Sequence, residues 1–336
     1  MKFANFLGFH ALTTVRLING MAGCTSTAFL TFIKTEIKKA FRIKDLGPLC
    51  TFLGVQFERN LETCELWIHQ EMFIDMLLAE YDLTACNPVK TPLDSDHPLG
   101  LPTDVHTPIP DLTQSYQWLV GSLLFLQLCS HLDISFTILL LSQHCSSPEP
   151  RHFATAKCFL QYLKGTCTHC LHYGGADHHL PLSSLSDADW AGDKKDQASI
   201  SGFVWSIGGG PLSWSAKKQN YIALSTTEAE YIALTHAIQE GIWLHQSLTQ
   251  FHISCLSPLI LSTDNNGAKS LSQNDSDHGK AKHIDIRYHF ICSHIESKSF
   301  LVNHTPRIIN TTDLFTKPLA RIIFQSHVAH LGLSAR

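Results

Sequence analysis

The chain has 336 residues, of which 44% are hydrophobic, and it carries a formal net charge of −4 at pH 7. This length predicts roughly two domains, and the apolar content excludes disordered and collagen-like proteins. The charge excludes a chain that is basic overall, so any surface that binds nucleic acid must be local.

The first half of the chain combines helix and strand patterns and then becomes helical. Between residues 28 and 85, the sequence predicts a helix in FLTFIKTEIKKAF, a strand in CTFLGVQFERN, its hairpin partner in ELWIHQ and a helix in EMFIDMLLAEYDL. Residues 86–113 are rich in Pro and Asp, which is typical of a linker. Residues 114–172 have a helical pattern throughout.

From about residue 180 the pattern changes to strands that alternate with helices. LPLSSLSDADWAG predicts a strand, and ISGFVWSIGGGPLSWSAKKQ predicts a hairpin that turns at Gly208, Gly209 and Gly210. YIALSTTEAEYIALTHAIQEGIWLHQSL is expected to start as a strand and become a long helix, capped within residues 225–227. A strand, helices, another strand and a C-terminal helix in NTTDLFTKPLA follow. This order predicts an α/β layered domain with a mixed sheet.

The 11 cysteines are odd in number and irregularly spaced, which favours a reduced, intracellular protein. Cys167, Cys170 and His172 have the spacing of metal ligands, but no fourth ligand stands out. We therefore expect free thiols at the end of a helix rather than a zinc site.

The N-terminus lacks the pattern of a signal peptide, so we expect an intracellular protein, cytoplasmic or nuclear and not secreted. Residues 119–141 are the most apolar stretch of the chain. His131 and Asp133 interrupt it, which favours a buried helix over a membrane span, and no membrane partner is expected.

Four acidic residues lie at comparable points of the predicted α/β domain. Asp187 is in the first strand, Glu230 in the first turn of the long helix, Asp264 at the end of a strand and Asp313 at the start of the last helix. Sheets of this kind place their chemistry beyond strand carboxyl ends and at helix N-termini. Any one of these acids alone would be read as a helix cap or a solvated loop residue, and this applies most to Asp313.

Four carboxylates that converge repel one another and need a positive charge between them. Hard divalent cations supply this charge through oxygen ligands, and Mg²⁺ combines carboxylates with substrate phosphates. Two such ions promote phosphodiester hydrolysis. The pattern therefore predicts a metal-dependent site for phosphoryl transfer.

Two series of motifs resemble copia-type retrotransposon Pol polyproteins, in order and in spacing. SDADWAG, SWSAKKQNYIALSTTEAEYIAL, STDNNGA, KHIDIRYHFI and NTTDLFTKPL resemble the ribonuclease H domain of this family. Upstream, FRIKDLGPLCTFLGVQF, NPVKTPL, WLVGSLLFL, DISF and FLQYLKGT resemble the C-terminal part of its reverse transcriptase. The resemblance covers residues from about 28 to 320.

The resemblance implies a ribonuclease H-like three-layer α/β domain with a mixed five-stranded sheet, preceded by a reverse-transcriptase remnant. The segments that we expect are a truncated palm/thumb remnant (1–95), a linker (96–113), a helical connection (114–175) and the ribonuclease H-like domain (180–336).

The implied activity is hydrolysis of the RNA strand of an RNA–DNA hybrid. Asp187, Glu230, Asp264 and Asp313 are the implied catalytic residues and ligands of two Mg²⁺ or Mn²⁺ ions. No small-molecule cofactor is expected.

Two acidic neighbours leave alternatives open. Glu228 lies two residues before Glu230, and at about 100° per residue the two cannot serve the site equally. We prefer Glu230, because AEYIAL continues into the helix as in the family. Asp189 shares a strand face with Asp187 and is a candidate for a supporting role.

Four basic residues are candidates for contact with nucleic acid. Lys217 and Lys218, near Trp214, can contact phosphates or form a solvated hairpin end. His283 and Arg287 lie along one helix and can face substrate or solvent.

The polymerase motifs are incomplete relative to the family. Its reverse transcriptases carry a Tyr-x-Asp-Asp hairpin roughly 25 to 30 residues before the KDLG segment, which here begins at Lys44. HALTTVRLINGMAGCTSTAF, which lies in that position, contains no acidic residue. Two-metal nucleotide transfer needs those carboxylates, so we expect DNA polymerase activity to be lost. The alternative for the whole chain is an inactive retroelement fragment or a nucleic-acid-binding remnant.

Overall fold

The computed structural model describes residues 16–18, 21–23, 27–41, 44–93, 110–174, 182–193, 195–251, 253, 257–273 and 282–336. The chain forms two compact units. The described residues within 1–50 and 244–254 form the first unit, and those within 51–243 and 255–336 form the second. Most of the predicted linker at 96–113 lies outside the described residues. The predicted domain boundaries stay a prediction.

In the first unit, the strands β1 (Arg16–Ile18) and β2 (Met21–Gly23) pair antiparallel. The helix α1 (Thr27–Ala40) follows, as the spacing of apolar residues predicts. It ends with Lys38 and Lys39, and positive charge at this end of a helix is favourable for the helix dipole.

The second unit contains two five-stranded sheets. One sheet consists of β3 (Thr51–Phe52), β4 (Val55–Asn60), β5 (Glu65–His69), β6 (His169–Tyr173) and β12 (Leu333–Ala335). These strands pair antiparallel in the order β12-β6-β5-β4-β3.

Two predictions for this sheet are wrong. Residues 50–60 do not form one strand, because the chain turns back at Leu53 and Gly54, both of which have positive φ. Residues 169–173 are not the end of a helix but the strand β6, which pairs with β5 and with the end of the chain at β12.

A group of helices fills the core of this unit. It comprises α2 (Glu71–Glu80), α3 (Pro110–Cys129), α4 (Ser135–Ser142) and α5 (Pro150–Thr166), with a 3-10 turn at Leu132–Ile134. The predicted buried segment at 119–141 is thus two helices, and Leu119, Leu123 and Leu126 are fully buried in it. Within the described residues, no helix is long and apolar enough to cross a membrane.

The other sheet is mixed, as predicted. It consists of β7 (Ser183–Asp189), β8 (Ile200–Ile207), β9 (Gly210–Lys218), β10 (Leu259–Thr263) and β11 (Phe300–His304). The order is β11-β10-β7-β8-β9, with β7, β8 and β9 antiparallel and β10 parallel to both of its neighbours. Gly208 and Gly209, both with positive φ, form the predicted turn between β8 and β9.

Five helices follow β9 in the described part of the chain. They are α6 (Thr226–Gln250), α7 (Asn266–Gln273), α8 (Lys282–Glu296), α9 (Asp313–Thr316) and α10 (Arg321–His330). The expected strand before α6 is absent, because residues 221–225 are a loop that leads into the helix. The helix predicted in NTTDLFTKPLA is only the short α9, which ends before Lys317; this residue precedes Pro318 and is extended with φ −151° and ψ 157°. The helix α10 follows the predicted segment.

The contacts of the strand β8 show the layering. On one face, the indole of Trp205 donates to the carbonyl of Ala237 in α6 at 2.9 Å. On the other face, Gly202 lies against Phe315 and Thr316 of α9, and Val204 joins a buried cluster with Phe315 and residues of the connection helices. The sheet is therefore the middle of three layers, and the expected ribonuclease H-like fold is confirmed.

Candidate active site

Neighbouring parallel strands bring the first two acidic residues together. Thr263 of β10 pairs with Ser186 of β7, so Asp264 and Asp187, the next residue of each chain segment, meet at the same sheet edge. Glu230 approaches from α6, near its N-terminus, and Asp313 is the first residue of α9.

Asp187, Glu230 and Asp264 converge. Each contributes a carboxylate oxygen, and these oxygens all lie within 4.8 Å of one another. Asp187 is 2% exposed, Glu230 is 5% exposed and Asp264 is partly buried. Three oxygen donors that share so small a space fit the ligand preference of a hard divalent cation. We call these three residues the carboxylate triad.

Burial and repulsion between the carboxylates raise the pKa values of Glu230 and Asp264. Burial, followed by the charges of Asp187 and Asp264, raises the pKa of Glu230 to about 9. The same two effects, burial and the charge of Asp187, raise the pKa of Asp264. Full ionisation of the triad is therefore unfavourable without a cation, and a bound cation would favour it.

Asp313 is not part of the carboxylate triad, but Lys317 contacts both Asp313 and Asp187 of the triad. The Nζ atom of Lys317 lies 2.7 Å from Oδ1 of Asp313 and 3.4 Å from Oδ2 of Asp187. Burial and the charge of Asp187 raise the pKa of Asp313 to about 6, although Lys317 acts in the opposite direction. Asp313 thus has the environment of a site residue rather than that of a plain helix cap.

The short helix α9 also fixes Asp187. The hydroxyl of Thr316 donates a hydrogen bond to Oδ2 of Asp187. One residue away on β7, the carbonyl of Ser186 accepts from Nδ2 of Asn310 at 3.1 Å. A Cβ atom on Gly202 would lie 2.7 Å from Cβ of Phe315, so the absence of a side chain at this position lets α9 approach the sheet.

The two acidic neighbours occupy other positions. The carboxylate of Glu228 accepts from the backbone N–H of Leu224 at 2.7 Å, and its own N–H donates to Oγ of Ser225 at 3.2 Å. Glu228 therefore caps α6 in a variant of the capping box. Asp189 lies outside the triad at the end of β7, and burial raises its pKa.

The predicted basic residues differ in their availability. Lys218 is held by Asp193 at 2.6 Å and by Asp196 at 2.7 Å. Lys217 is exposed, and Arg287 lies 5.6 Å from the ring centre of Tyr221. The side chain of His283 lies outside the described residues.

His236 of α6 is affected by the charges of two of these basic residues. Its pKa is lowered by burial and then by the positive charges of Lys217 and Arg287. The strand β9 and the helix α8 thus direct positive charge toward the same part of α6. The contribution of His236 was not predicted from the sequence.

The cysteine motif is part of the antiparallel sheet. Cys167 and Cys170 are free, and Sγ of Cys170 lies 3.4 Å from the carbonyl oxygen of Ser334. Nε2 of His172 lies 3.1 Å from Oε1 of Glu65. Both thiols are free, as expected; Cys167 is the C-cap of α5, at the end of that helix as predicted, whereas Cys170 lies in the strand β6.

Sequence reasoning missed Lys317, Thr316 and Arg307 as members of the site. Lys317 follows Asp313 by four residues, the spacing of a helical ion pair, and this was the available signal. Arg307 comes from the loop before α9, and its Nε lies 3.8 Å from Oδ2 of Asp313.

Comparison with known proteins agrees with these observations. Residues 21–95 match the family described as "Reverse transcriptase (RNA-dependent DNA polymerase)". The retrovirus-related Pol polyprotein from transposon TNT 1-94 of Nicotiana tabacum is 34% identical over 87% of this chain and 22% of its own length. The Pol polyprotein from transposon RE1 of Arabidopsis thaliana is 35% identical over 89% of this chain and 20% of its own length.

Among solved structures, LC11-RNase H1 in complex with RNA/DNA hybrid is similar at 15% identity and a TM-score of 0.32, covering 40% of this chain and 93% of that one. The chain spans about a fifth of the length of the two polyproteins. Over most of its own length, the chain is thus similar to a segment of retrotransposon Pol polyproteins, and part of that segment matches a reverse-transcriptase family.

Proposed function

We propose that this chain hydrolyses the RNA strand of RNA–DNA hybrids endonucleolytically, with the help of divalent cations. The observation that supports this most is the convergence of the buried Asp187, Glu230 and Asp264 on one edge of a ribonuclease H-like sheet. Converging buried carboxylates destabilise a fold unless a ligand compensates for their charge, and they therefore indicate a functional site.

Asp187, Glu230 and Asp264 would hold the cation. A divalent cation bound by carboxylates lowers the pKa of water and offsets the charge of a phosphate undergoing displacement. Mg²⁺ and Mn²⁺ both suit oxygen ligands of this kind. The predicted second ion would depend on Asp187 and Asp313.

Residues around the triad can orient its carboxylates and can exchange protons. Thr316 fixes the orientation of the Asp187 carboxylate through its hydroxyl. Hydrolysis adds a water oxygen to phosphorus, breaks the bond to the 3′ oxygen of the RNA and requires a proton on that leaving oxygen. Asp313, whose pKa is about 6, is the acid beside the triad that is best suited to exchange this proton near neutral pH.

Contacts to the hybrid are proposed on the side of α6 where positive charge accumulates. Lys217 is exposed, and the positive charges of Lys217 and Arg287 both lower the pKa of His236, so the two cations lie near the same part of α6. Together they can contact phosphates of a nucleic-acid backbone. Lys218 is engaged by Asp193 and Asp196, and we assign it a smaller share of binding. Discrimination for RNA would come from the 2′-hydroxyl and from groove shape rather than from sequence.

We also propose that this chain does not polymerise DNA. Residues 10–29, where the family carries its catalytic Asp pair, contain no acidic residue. Primer extension with all four nucleotides should give no product with this chain. An intracellular site of action, cytoplasmic or nuclear, stays a prediction.

A panel of substrates tests the hydrolase. The full 336-residue chain is incubated in Mg²⁺ or Mn²⁺ with labelled RNA in three forms: as a hybrid with DNA, single-stranded and in an RNA duplex. Cleavage restricted to the hybrid by the unmodified chain, and lost in Asp264→Asn, is expected. Binding of the hybrid without cleavage by a folded chain would favour the alternative, an inactive nucleic-acid-binding remnant, and equal cleavage by both proteins would refute the site.

A further inference from the structure

Lys317 lies between two of the four carboxylates and is itself largely buried. Its side chain is 18% exposed, and its Nζ atom lies 2.7 Å from Asp313 and 3.4 Å from Asp187. A lysine is ordinarily protonated at neutral pH, and this ammonium lies beside two carboxylates. Lys317 is therefore a fixed positive charge inside the acidic site.

The backbone around Lys317 explains why it turns toward the site. Asp313, one helical turn earlier, pairs with it across α9. Pro318 disfavours a helical conformation at Lys317, so the helix ends there with an extended residue. Leu314 and Phe315 of the same helix are buried in the core, which anchors α9 against the sheet.

Other positive charges contribute little at this position. Within the part of the chain that the structure describes, Lys317 and Arg307 are the residues that place a charged nitrogen within 4 Å of these four carboxylates. Arg307 is 72% exposed and 3.8 Å from Asp313, so water screens its charge. Lys317 thus supplies most of the local compensation for Asp187 and Asp313.

We propose that Lys317 is the resident cation on the Asp187–Asp313 side of the site, and that a second divalent ion binds there only by displacing it. The inference rests on the proposed function and refines its two-ion prediction. The ammonium contacts the carboxylate oxygens that a second ion would need, and like charges at such a distance repel. The first ion, held by the carboxylate triad, has Glu230 and Asp264 as ligands besides Asp187, and Lys317 contacts neither of those two.

Displacement of the ammonium is physically feasible. A lysine carries its charge on a flexible four-carbon stem, so it can leave the carboxylates without unfolding α9. The consequence is unequal affinity, with one tight site and one weak site for divalent ions in the resting protein.

Counting bound Mn²⁺ ions tests the proposal without reference to catalysis. Free Mn²⁺ is measured by electron paramagnetic resonance while the full chain is titrated at neutral pH. The unmodified chain should bind one ion tightly and a second ion weakly. Lys317→Met should tighten the second site by roughly tenfold or more, within the usual range of coupling between neighbouring sites.

Three controls complete the experiment. Asp313→Asn combined with Lys317→Met removes one ligand of the second site and should return the count to one tight ion. Lys34→Met loses a lysine that is ion-paired with Asp45 rather than with the carboxylates of the site, and it should leave both sites unchanged. Lys317→Gln removes the charge but keeps a hydrogen-bond donor, and it replaces Lys317→Met if that variant does not fold.

The outcomes separate the inference from the proposed function. Two equally tight ions in the unmodified chain, or an unchanged second site in folded Lys317→Met and Lys317→Gln, would overturn the role of Lys317. Absence of any bound ion in the folded, unmodified chain would instead overturn the metal site of the proposed function.

Discussion

Glu228 and Glu230 are two residues apart on α6 and point to different surroundings. The carboxylate of Glu228 accepts from the backbone N–H of Leu224 at 2.7 Å and closes the N-terminus of the helix. Glu230 is 5% exposed and lies within 4.8 Å of Asp187 and Asp264. One residue has the contacts of a cap and the other has the contacts of a ligand, as expected for positions about 200° apart around a helix.

This difference predicts that replacing glutamate by glutamine has a large effect at one of the two positions and a small effect at the other. Glu230→Gln should reduce hybrid cleavage at least a hundredfold and abolish the rise in melting temperature on addition of Mn²⁺, because a ligand is lost. Glu228→Gln keeps an oxygen that can accept from Leu224, so we expect cleavage within a few-fold of the unmodified chain and a loss of stability of about 1 kcal/mol or less. Initial rates and thermal melts of the two proteins measure these effects, and the reverse pattern would show that Glu228 is the metal ligand.

Stability without metal should fall as pH rises. The pKa of Glu230 is about 9 in the folded protein against an ordinary value of 4.5, so the folded state binds this proton more tightly than the unfolded state. The resulting stabilisation is complete below pH 4.5 and is lost as pH rises through 9. Asp313, whose pKa is about 6, adds to the loss at lower pH.

Melting temperatures in a chelator between pH 6 and pH 9 measure this effect. We expect a steeper fall in the unmodified chain than in Glu230→Gln, which has no proton to lose. With Mn²⁺ present, the stabilisation by metal should grow over the same range. Parallel pH profiles of the two proteins in the chelator would contradict the raised pKa of Glu230.

Thr316 is a positioning residue for Asp187. Thr316→Val keeps the shape of the side chain but removes the hydroxyl that donates to the ligand. Loss of such a supporting contact typically costs about 10- to 100-fold in metal affinity, and we expect that range for Mn²⁺. Thr235→Val is the matched control, because its buried hydroxyl donates to Tyr231 within α6 and contacts no ligand. Equal Mn²⁺ affinities for the two variants would refute a role for Thr316.

Replacing glycine by alanine should destabilise the protein at the closely packed Gly202 but not at the open position Gly121. A Cβ atom there would lie 2.7 Å from Cβ of Phe315 and 3.0 Å from Cγ2 of Thr316, so Gly202→Ala should displace α9, with a cost of about 1–3 kcal/mol. Gly121→Ala, with nothing within 4 Å, should stabilise α3 by up to about 1 kcal/mol. Urea denaturation of both variants measures the difference, and similar stabilities would show that α9 tolerates the displacement.

Much of the mixed sheet could be predicted, because its strands and turns have local signals. Gly208 and Gly209 marked the turn between β8 and β9, and the segments on either side of it were predicted as a hairpin. The convergence of Asp187 with Asp264 followed from their common position at the carboxyl ends of parallel strands, a topological argument that needs no contact information.

The antiparallel sheet could not be predicted in the same way. The strand β6 pairs with β5, about a hundred residues earlier, and with β12, about 160 residues later. Its sequence, HCLHY, follows a long helix and has no strong alternation. Long-range pairing therefore decided its conformation rather than local propensity. Lys317 was missed for a related reason, because its second partner, Asp187, is 130 residues away in sequence.

The pairing of β12 with β6 also determines how much of the chain an assay needs. A chain cut between residues 174 and 182 would lose β6, the partner strand of β12, and with it the helices that share a buried cluster with Phe315. The full chain is therefore the appropriate material for tests of activity.

The central claim is tested most directly by the products of hybrid cleavage. The full chain and Asp187→Asn are incubated with a hybrid whose RNA strand is end-labelled, in Mg²⁺ and in a chelator, and the ends of the fragments are identified. We predict Mg²⁺-dependent internal cuts that leave 5′-phosphate and 3′-hydroxyl ends, with no cuts by Asp187→Asn. Cleavage that persists in the chelator or in Asp187→Asn, or the absence of cleavage by the folded, unmodified chain, would contradict the assignment of this carboxylate site.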